Sequence, residues 1–435
     1  MRAVTTPARR IGVVAATGIG VGSMLGAGVF SDMWAAVLDT GDWYLAAIAL
    51  AALVALANAL STAQLASRYP VAGGAYAYGR AELGAFPGHV AGAAFLVGKT
   101  VSVAVGALVL GSYVLPGHAQ WTATAAVALA WALNARGITK TATGATVIAV
   151  VVTLALVGIV CAAVVVDGEV PQGLRFAQES GPVAAFLVAA SSAFFAFAGY
   201  ARIATLGEEV REPARAIPRA IMVALAVVVS LYLAIAWALA TYVGADALGA
   251  LASRGQGAPG HDESLVGPIE QLAAVGHVPV IVVTVTAALA TFGAMLAVMA
   301  GAGRTAMAMA RERDLPAPLA AQGSSRAPWR AELVVALLAI TLVWTSGANL
   351  LLVSVATVLT YYAVANLAAI RQRVAGRTEN LRVPVVVSMC GLVASLALAG
   401  VALSASTDDV APAMVVLALV VGWPAVSWVV RRRRA

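Results

Sequence analysis

The residues best suited to chemistry in this sequence begin with a run of glycines inside a long apolar segment. From Thr17 to Phe30 the chain reads Thr-Gly-Ile-Gly-Val-Gly-Ser-Met-Leu-Gly-Ala-Gly-Val-Phe. Glycines at this density indicate either close packing of membrane helices or a break in one helix, whose freed backbone groups must line a cavity. A break at Gly26 and Gly28 would aim the positive end of the restarted helix at a carboxylate. The glycines alone leave both interpretations open.

A second apolar segment, residues 182–206, has a weak point of the same kind. Its middle contains Ala198-Gly199, which follows three phenylalanines: Phe194, Phe195 and Phe197. Paired interruptions at corresponding positions in two halves of a chain are the best sequence indication of a transporter's binding site. The phenylalanines are equally typical of core packing or of a lipid-facing surface.

Lys99 lies well inside a third apolar segment, within Leu96–Ser102. A lysine at the centre of a membrane helix costs about 2.5–3.5 kcal/mol, so it normally faces a cavity or a partner. A structural role, by snorkelling or by balancing one acid, is the alternative. Only one other lysine, Lys140, occurs in the chain, and lysine, unlike arginine, can release its proton when desolvated. We predict that Lys99 contacts the transport pathway and helps to set its pH dependence.

Arg202 also lies within an apolar segment, nearer to its end. Glu208 and Glu209 follow at about one and two helical turns, so either is a candidate partner for Arg202. The charged loop that begins with these glutamates is expected to act as a latch beside a moving helix. The alternative is an anchor that fixes topology and supplies charge to the next helix.

Signals for other classes of chemistry are weak. The four histidines lie at or near segment ends without metal-like spacing: His89, His118, His261 and His277. No Gly-rich loop with Lys-Ser/Thr follows a strand, so a nucleotide site is not indicated. Cys161 and Cys390 sit in apolar runs and are read as small hydrophobic residues. We therefore expect no metal, no cofactor and no enzymatic activity.

The composition shows which elements must hold these residues. Hydrophobic residues make up 61% of the chain and charged residues 11%, against about 25% charged in soluble domains. Helices satisfy their own backbone in lipid, and a spanning helix needs about 20 apolar residues. This length predicts an all-α membrane protein with about twelve spans, at residues 11–36, 43–67, 88–115, 121–135, 142–166, 182–206, 218–243, 277–304, 331–346, 348–371, 383–404 and 411–430.

Basic residues mark one side of the membrane. Alternate loops hold nearly all the arginines, whereas the other loops hold only Arg175 and Arg254 together with most of the acids. The positive-inside rule then places both termini in the cytoplasm of a multi-pass protein in the cytoplasmic membrane. The net charge of +7 follows from this topology, so we expect no nucleic-acid partner. The basic tail, residues 431–434, is expected to touch anionic lipid.

Four segments resemble the amino acid–polyamine–organocation (APC) family of permeases. Gly22–Phe30 is similar to the family's first-helix motif, and Ser67–Tyr78 to its loop after the second helix. Gly207–Ile221 resembles the loop after the sixth helix, and Met307–Pro316 the loop after the eighth. The four motifs occur in the family's order and cover most of the chain.

This resemblance implies a LeuT-like fold in a single domain, residues 1–435, with broken first and sixth helices. Two inverted five-helix repeats would occupy about 11–166 and 182–371, and two extra helices about 383–430. Alternating access would operate around a site between the two breaks. The substrate's carboxylate would meet backbone groups at Ser23, Met24, Gly26, Ala27 and Gly28. Its amino group would meet carbonyls near Phe195, Ala196 and Ala198, with Phe195 capping the substrate.

The chain departs from the family in one respect. Several members carry a lysine in the fifth helix, where this sequence has Thr153. The coupling mechanism of those members is therefore not simply inherited, and Lys99 or Arg202 is the candidate replacement. The eighth span offers one clear hydroxyl, Thr291, rather than the pair expected of a sodium site.

The predicted function is transport of neutral L-amino acids, coupled to protons or driven by exchange. No Asp or Glu lies in the middle of the first, third, sixth, eighth or tenth span to meet a cationic side chain. An exporter or a polyamine antiporter of the same fold is the alternative within transport. A channel or a receptor is the alternative outside it, although no repeated polar rings indicate a pore.

Overall fold

The computed structural model describes residues 11–30, 40, 43–136, 138–167, 183–243, 267–323, 327–345, 349–378, 381–406 and 410–427. Within these residues the chain forms helices joined by short connections, and nine helices are long and apolar enough to cross a membrane. They are Val13–Phe30, Tyr44–Arg68, Ala85–Val114, Thr143–Val166, Val183–Ala204, Pro213–Val243, Val280–Arg311, Leu350–Val374 and Val385–Ala405. The all-α membrane fold is confirmed, and these helices are the predicted first, second, third, fifth, sixth, seventh, eighth, tenth and eleventh spans.

The other three predicted spans are helical but shorter. Ala119–Ala135 and Trp329–Thr345, the fourth and ninth, each contain 17 residues. At 1.5 Å per residue they reach about 25 Å, which is marginal for a bilayer. The twelfth begins as Val410–Leu417 and continues through a π-helical turn at Ala418–Gly422. A count of twelve crossings, and the division into two repeats, stay predictions.

Both predicted helix breaks are present. The first span is an α-helix over Val13–Met24, is non-helical at Leu25 and Gly26, and restarts as Ala27–Phe30. The sixth is an α-helix over Val183–Phe197, tightens to a 3-10 turn at Ala198–Tyr200, and continues as Ala201–Ala204. The first span packs against the fifth, seventh and eighth spans and against the sixth-span break, so the two breaks face each other.

The segments after the second, sixth and eighth spans lie at one end of the bundle. We call it the arginine-rich end, after Arg68, Arg80, Arg311 and Arg377. There the residue before the first span pairs with the loop after the sixth: Ile11 N donates to Glu209 O at 3.0 Å, and Arg211 N to Ile11 O at 2.9 Å. The segment after the second span, expected as a loop, forms a helix at Ala75–Leu83.

The eighth span is longer than its predicted end at residue 304. It continues to Arg311 because alanine and methionine, which favour helix, dominate its last turns. Arg304, assigned by sequence to a loop, therefore lies within the helix and is buried.

Candidate functional site

A small cavity lies where the two breaks meet. Its lining comes from the first, third, sixth and eighth spans: Ser23, Met24, Ala27, Gly28, Lys99, Ser102, Gly106, Phe195, Gly199, Thr291, Ala294, Met295 and Val298. Its volume is about 30 Å³, well below the roughly 300–1,000 Å³ of typical small-molecule pockets. The walls must therefore separate to admit a substrate.

Side chains from other elements satisfy the broken end of the first helix. The Ser23 hydroxyl lies 2.9 Å from the carbonyl of Gly20 in its own helix and 2.9 Å from that of Gly199 in the sixth span. Tyr232, in the seventh span, donates to the Met24 carbonyl at 2.6 Å. The two breaks approach so closely that a Cβ at Gly199 would lie 2.6 Å from Met24 N, so only glycine fits there.

The carbonyl of Ala198, which is buried, is the acceptor at the sixth-span break that two side chains share. It accepts a hydrogen bond from Lys99 Nζ at 3.2 Å and another from the Tyr362 hydroxyl at 3.2 Å. Tyr362 stacks on Tyr200 with ring centroids 5.0 Å apart. The lysine of the third span thus occupies an acceptor that the family resemblance assigns to the substrate's amino group.

The predicted binding residues divide into two groups. Ser23, Met24, Ala27, Gly28 and Phe195 line the cavity together with Lys99. Phe195 is half-buried, whereas its neighbours Phe194 and Phe197 are fully buried in the core. Phe195 is thus the one of these three phenylalanines that lines the cavity, and its capping role stays a prediction.

Gly26, Ala196 and Ala198 are not among the lining side chains. A Cβ at Gly26 would collide with Ala294 of the eighth span, and one at Gly28 would lie 2.6 Å from the Ala196 Cα. Close helix packing therefore explains why these positions are glycine. The helix break lies at Leu25 and Gly26, so both interpretations hold at Gly26, whereas Gly28 lies in the restarted helix Ala27–Phe30 and is explained by packing.

Sequence reasoning missed several residues of the site. Ser102 shares a hydrogen bond with Ser354 of the tenth span, at 2.7 Å between the hydroxyl oxygens. Tyr232 and Tyr362 hold the breaks, and Met295 lines the cavity. Polar side chains inside apolar spans were the available signal, because buried hydroxyls need partners.

The cavity has a defined electrostatic character. Among the residues that the structure describes, Lys99 is the one cation that lines the cavity, and no Asp or Glu lines it. The fifth span adds no charge where it meets the first, since Gly18 and Gly22 face Thr146 and Ala149. Thr153 donates to the Ala149 carbonyl of its own helix at 2.7 Å. The site suits a ligand that brings a carboxylate.

The glutamates after the sixth span pair differently from expectation. Glu208 lies 3.3 Å from Arg311, and Glu209 lies 2.6 Å from Arg304, both of the eighth span. Arg202 instead donates to Thr205 at 2.6 Å. Two ion pairs therefore tie the sixth-span end to the eighth span.

Glu332, at the start of the ninth helix, joins this charged region from the other side. It is fully buried, and neither carboxylate oxygen has a hydrogen-bond partner among the described residues. Arg202 and Arg304 are the positive groups that act on it electrostatically. Sequence reasoning missed Glu332, because it lies at the edge of a short predicted span.

The helix Ala75–Leu83 closes the arginine-rich end. Tyr76 donates to Asp314 at 2.7 Å, and Arg80 donates to the same carboxylate at 3.0 Å. A Cβ at Gly207 would lie 2.5 Å from the Val71 amide, so the loops after the second and sixth spans are in close contact. Three of the four family motifs thus meet in one seal.

A bundle of membrane-length helices with two facing breaks at a cavity defines a membrane transporter. The chain belongs to the amino acid permease family, whose model matches residues 11–423. An uncharacterized transporter of Mycobacterium tuberculosis is 43% identical over 364 residues, which cover 83% of this chain and 80% of that protein. The resemblance inferred from the motifs is confirmed.

A cationic amino acid transporter and a putrescine importer are among the relatives whose names state a substrate. Cationic amino acid transporter 7, chloroplastic, of Arabidopsis thaliana is 28% identical over 248 residues, 49% of this chain and 41% of that protein. The low-affinity putrescine importer PlaP of Escherichia coli is 30% identical over 186 residues, 40% of this chain and 41% of that protein. The family and these relatives are transporters, not enzymes.

Proposed function

We propose that this protein is a secondary permease that moves neutral L-amino acids across the cytoplasmic membrane by alternating access. The observation that carries the proposal is the cavity between the two helix breaks, whose lining by the described residues includes one cation and no carboxylate. A zwitterion with an uncharged side chain adds no net charge to such a site. A cationic side chain would lack an acid to pair with.

The substrate's carboxylate binds at the first-span break, against the restarted helix that begins at Ala27. Backbone N–H groups and the helix dipole favour an anion there. The amino group binds on the sixth-span side, near Phe195, Ala196 and Ala198, and Phe195 covers the bound substrate. Both groups are within reach of one small ligand because the breaks are in contact at Gly199 and Ser23.

The arginine-rich end faces the cytoplasm and opens when the sixth-span end separates from the eighth span. Backbone pairing of Ile11 with the Glu209–Arg211 segment links the first and sixth spans, so these two move together. The ion pairs of Glu208 and Glu209 form the latch that must release. Energy comes from proton symport or from exchange against another amino acid.

An amino-acid exporter of the same fold would use the same binding site, because the gradients of substrate and coupled ion set the direction of transport. A polyamine or amine antiporter is the second candidate, favoured by the named putrescine importer and cationic amino acid transporter among the relatives. The lysine in the cavity opposes it, since like charges at close range repel. A channel or a receptor would use neither the paired breaks nor the latch.

Uptake by purified protein in liposomes tests the proposal. Radiolabelled neutral, cationic and acidic amino acids and putrescine are compared, each with and without a pH gradient. We expect saturable uptake of neutral amino acids, raised either by an inward proton gradient or by preloading with unlabelled substrate. Uptake of putrescine in preference to every neutral amino acid would contradict the proposal.

A further inference from the structure

Lys99 holds the same acceptor that the substrate needs. Its ammonium group bonds the Ala198 carbonyl at 3.2 Å, and its side chain is buried at the cavity wall. The Phe95 ring lies 5.9 Å from Nζ, and the described part of the chain places no carboxylate in the cavity wall. The ammonium group therefore depends on a backbone carbonyl, a ring face and whatever occupies the cavity.

We propose that Lys99 is a tethered substitute for the substrate's amino group. In the empty carrier its ammonium fills the Ala198 site, and an arriving amino acid inserts between the two. The substrate's ammonium then bonds the Ala198 carbonyl, while its carboxylate faces Lys99 across the cavity. This inference rests on the proposed function and assigns a specificity role to a residue of that site.

One consequence concerns which ligands fit. A zwitterion's ammonium takes the place of the Lys99 ammonium at the Ala198 carbonyl, so the number of ammonium–carbonyl contacts is unchanged. Its carboxylate then neutralises the charge of Lys99. An amine without a carboxylate brings a second positive charge beside Lys99 and leaves both unneutralised. A carboxylate without an amine leaves the Ala198 carbonyl to Tyr362 alone, and an under-satisfied buried acceptor is costly. The site therefore requires both groups of an α-amino acid.

A second consequence concerns the empty carrier. A buried carbonyl that keeps only one of its two donors is under-satisfied, which destabilises the closed conformation through which an empty carrier must return. Lys99 supplies that donor when substrate is absent, so the empty carrier can return and net uptake is possible. Without Lys99 only the loaded carrier crosses readily, and the protein becomes an exchanger.

The test compares net uptake with counterflow for Lys99→Met, which removes the charge and keeps a similar volume. At saturating substrate, where weaker binding does not limit the rate, we expect Lys99→Met to lose about tenfold or more of its net uptake relative to its counterflow, the effect of one missing hydrogen-bond donor. Lys99→Arg retains a donor and should retain net uptake. Lys140→Met, at the other lysine of the chain, is the matched control and should match wild type in both assays.

The outcomes separate the inference from the proposed function. Wild-type net uptake by Lys99→Met would overturn the substitute role while leaving the permease intact. Equal losses of net uptake and counterflow in Lys99→Met, with thermal stability unchanged, would mean that Lys99 acts only on bound substrate and would overturn the substitute role. Absence of any amino-acid transport by wild-type protein would overturn the proposed function itself.

Discussion

At the two helix breaks, a few side chains donate hydrogen bonds to nearby backbone carbonyls. The Ser23 hydroxyl lies within hydrogen-bond distance of the carbonyls of Gly20 and Gly199. Tyr232 donates to the Met24 carbonyl, and the Ala198 carbonyl accepts from both Lys99 and Tyr362. Helix breaks at membrane depth are tolerated only when such partners exist. Of these donors, Lys99 alone can change its charge under ordinary conditions, which makes it the residue to test first.

Lys99→Met should remove part of the pH dependence of substrate binding. In the wild type, the protonated ammonium attracts the substrate's carboxylate, so affinity should fall as the pH rises through the range in which Lys99 loses its proton. Binding and coupling are reciprocal, so a group that titrates on binding must make affinity pH-dependent. Tyr362, which shares the Ala198 acceptor, is the titratable neighbour to keep unchanged.

The measurement is the substrate dissociation constant across pH for wild type, Lys99→Met and Lys140→Met. We expect a flatter profile and weaker binding in Lys99→Met only. Identical profiles and affinities in all three proteins would make Lys99 structural, and coupling would then be sought at Arg202 or abandoned in favour of exchange.

At the scale of elements, the first span depends on close contact with its neighbours. Gly26 lies against Ala294 of the eighth span, and Gly28 against Ala196 of the sixth. Small residues at such contacts let helix backbones approach in a membrane, where packing drives association. Gly26 also lies at the helix break, and Gly28 lies in the first turn of the helix that restarts after it.

Gly26→Ala and Gly28→Ala should each lose transport and also lower thermal stability. A single methyl group at either position meets an atom of the neighbouring helix, and overpacking of this kind costs about 1–3 kcal/mol. Gly158→Ala, where nothing lies within 4 Å of the added methyl group, is the control and should behave as wild type. Uptake and melting temperature in detergent are the two measurements; unchanged values in both glycine variants would refute the packing argument.

The latch pairs differ in burial, so they should differ in effect. Glu209→Gln leaves the buried Arg304 without its partner, and removing one member of a buried pair is strongly destabilising. Glu208→Gln breaks a pair with Arg311 that is about a third exposed on both sides, and such pairs contribute about 0–1 kcal/mol.

We therefore expect Glu209→Gln to change turnover several-fold with little change in substrate affinity, because the contact lies outside the cavity. Glu208→Gln should stay close to wild type. Initial uptake rates over a range of substrate concentrations separate the two parameters. Equal effects of the two variants would indicate that the loop serves as a topology anchor.

At the scale of the whole molecule, arginine side chains concentrate at one end of the helix bundle. The seal there joins Tyr76 and Arg80 to Asp314, and Glu82 to Arg377 and Tyr69. Basic residues concentrate on the cytoplasmic side of membrane proteins. This concentration of arginines is the reason for proposing that the arginine-rich end faces the cytoplasm.

Cysteine labelling checks the orientation. In a variant with Cys161→Ala and Cys390→Ala, a single cysteine is placed at His118 or at Ala375, exposed positions at opposite ends of the bundle. A membrane-impermeant maleimide should label the first and not the second in intact cells, and both after permeabilisation. The reverse pattern would invert the topology.

The sequence by itself determined the helical membrane fold, the family and the location of both breaks. These features are local: an apolar run of sufficient length must form a helix in lipid, and glycine clusters weaken a helix wherever it packs. The two shortest spans were placed correctly as helices, but their crossing of the membrane depends on neighbours that thicken or thin the bilayer around them.

Only the tertiary structure decided how the polar groups pair. Lys99 meets Ala198 across 99 positions of the chain, and Tyr232 meets Met24 across 208; no pattern within one helix specifies such partners. The helical spacing of Arg202 and its following glutamates suggested a local pair, yet the sixth-span end turns and presents Glu208 and Glu209 to the eighth span. Buried polar groups take whichever partner packing brings within reach, and packing is a property of the assembled bundle.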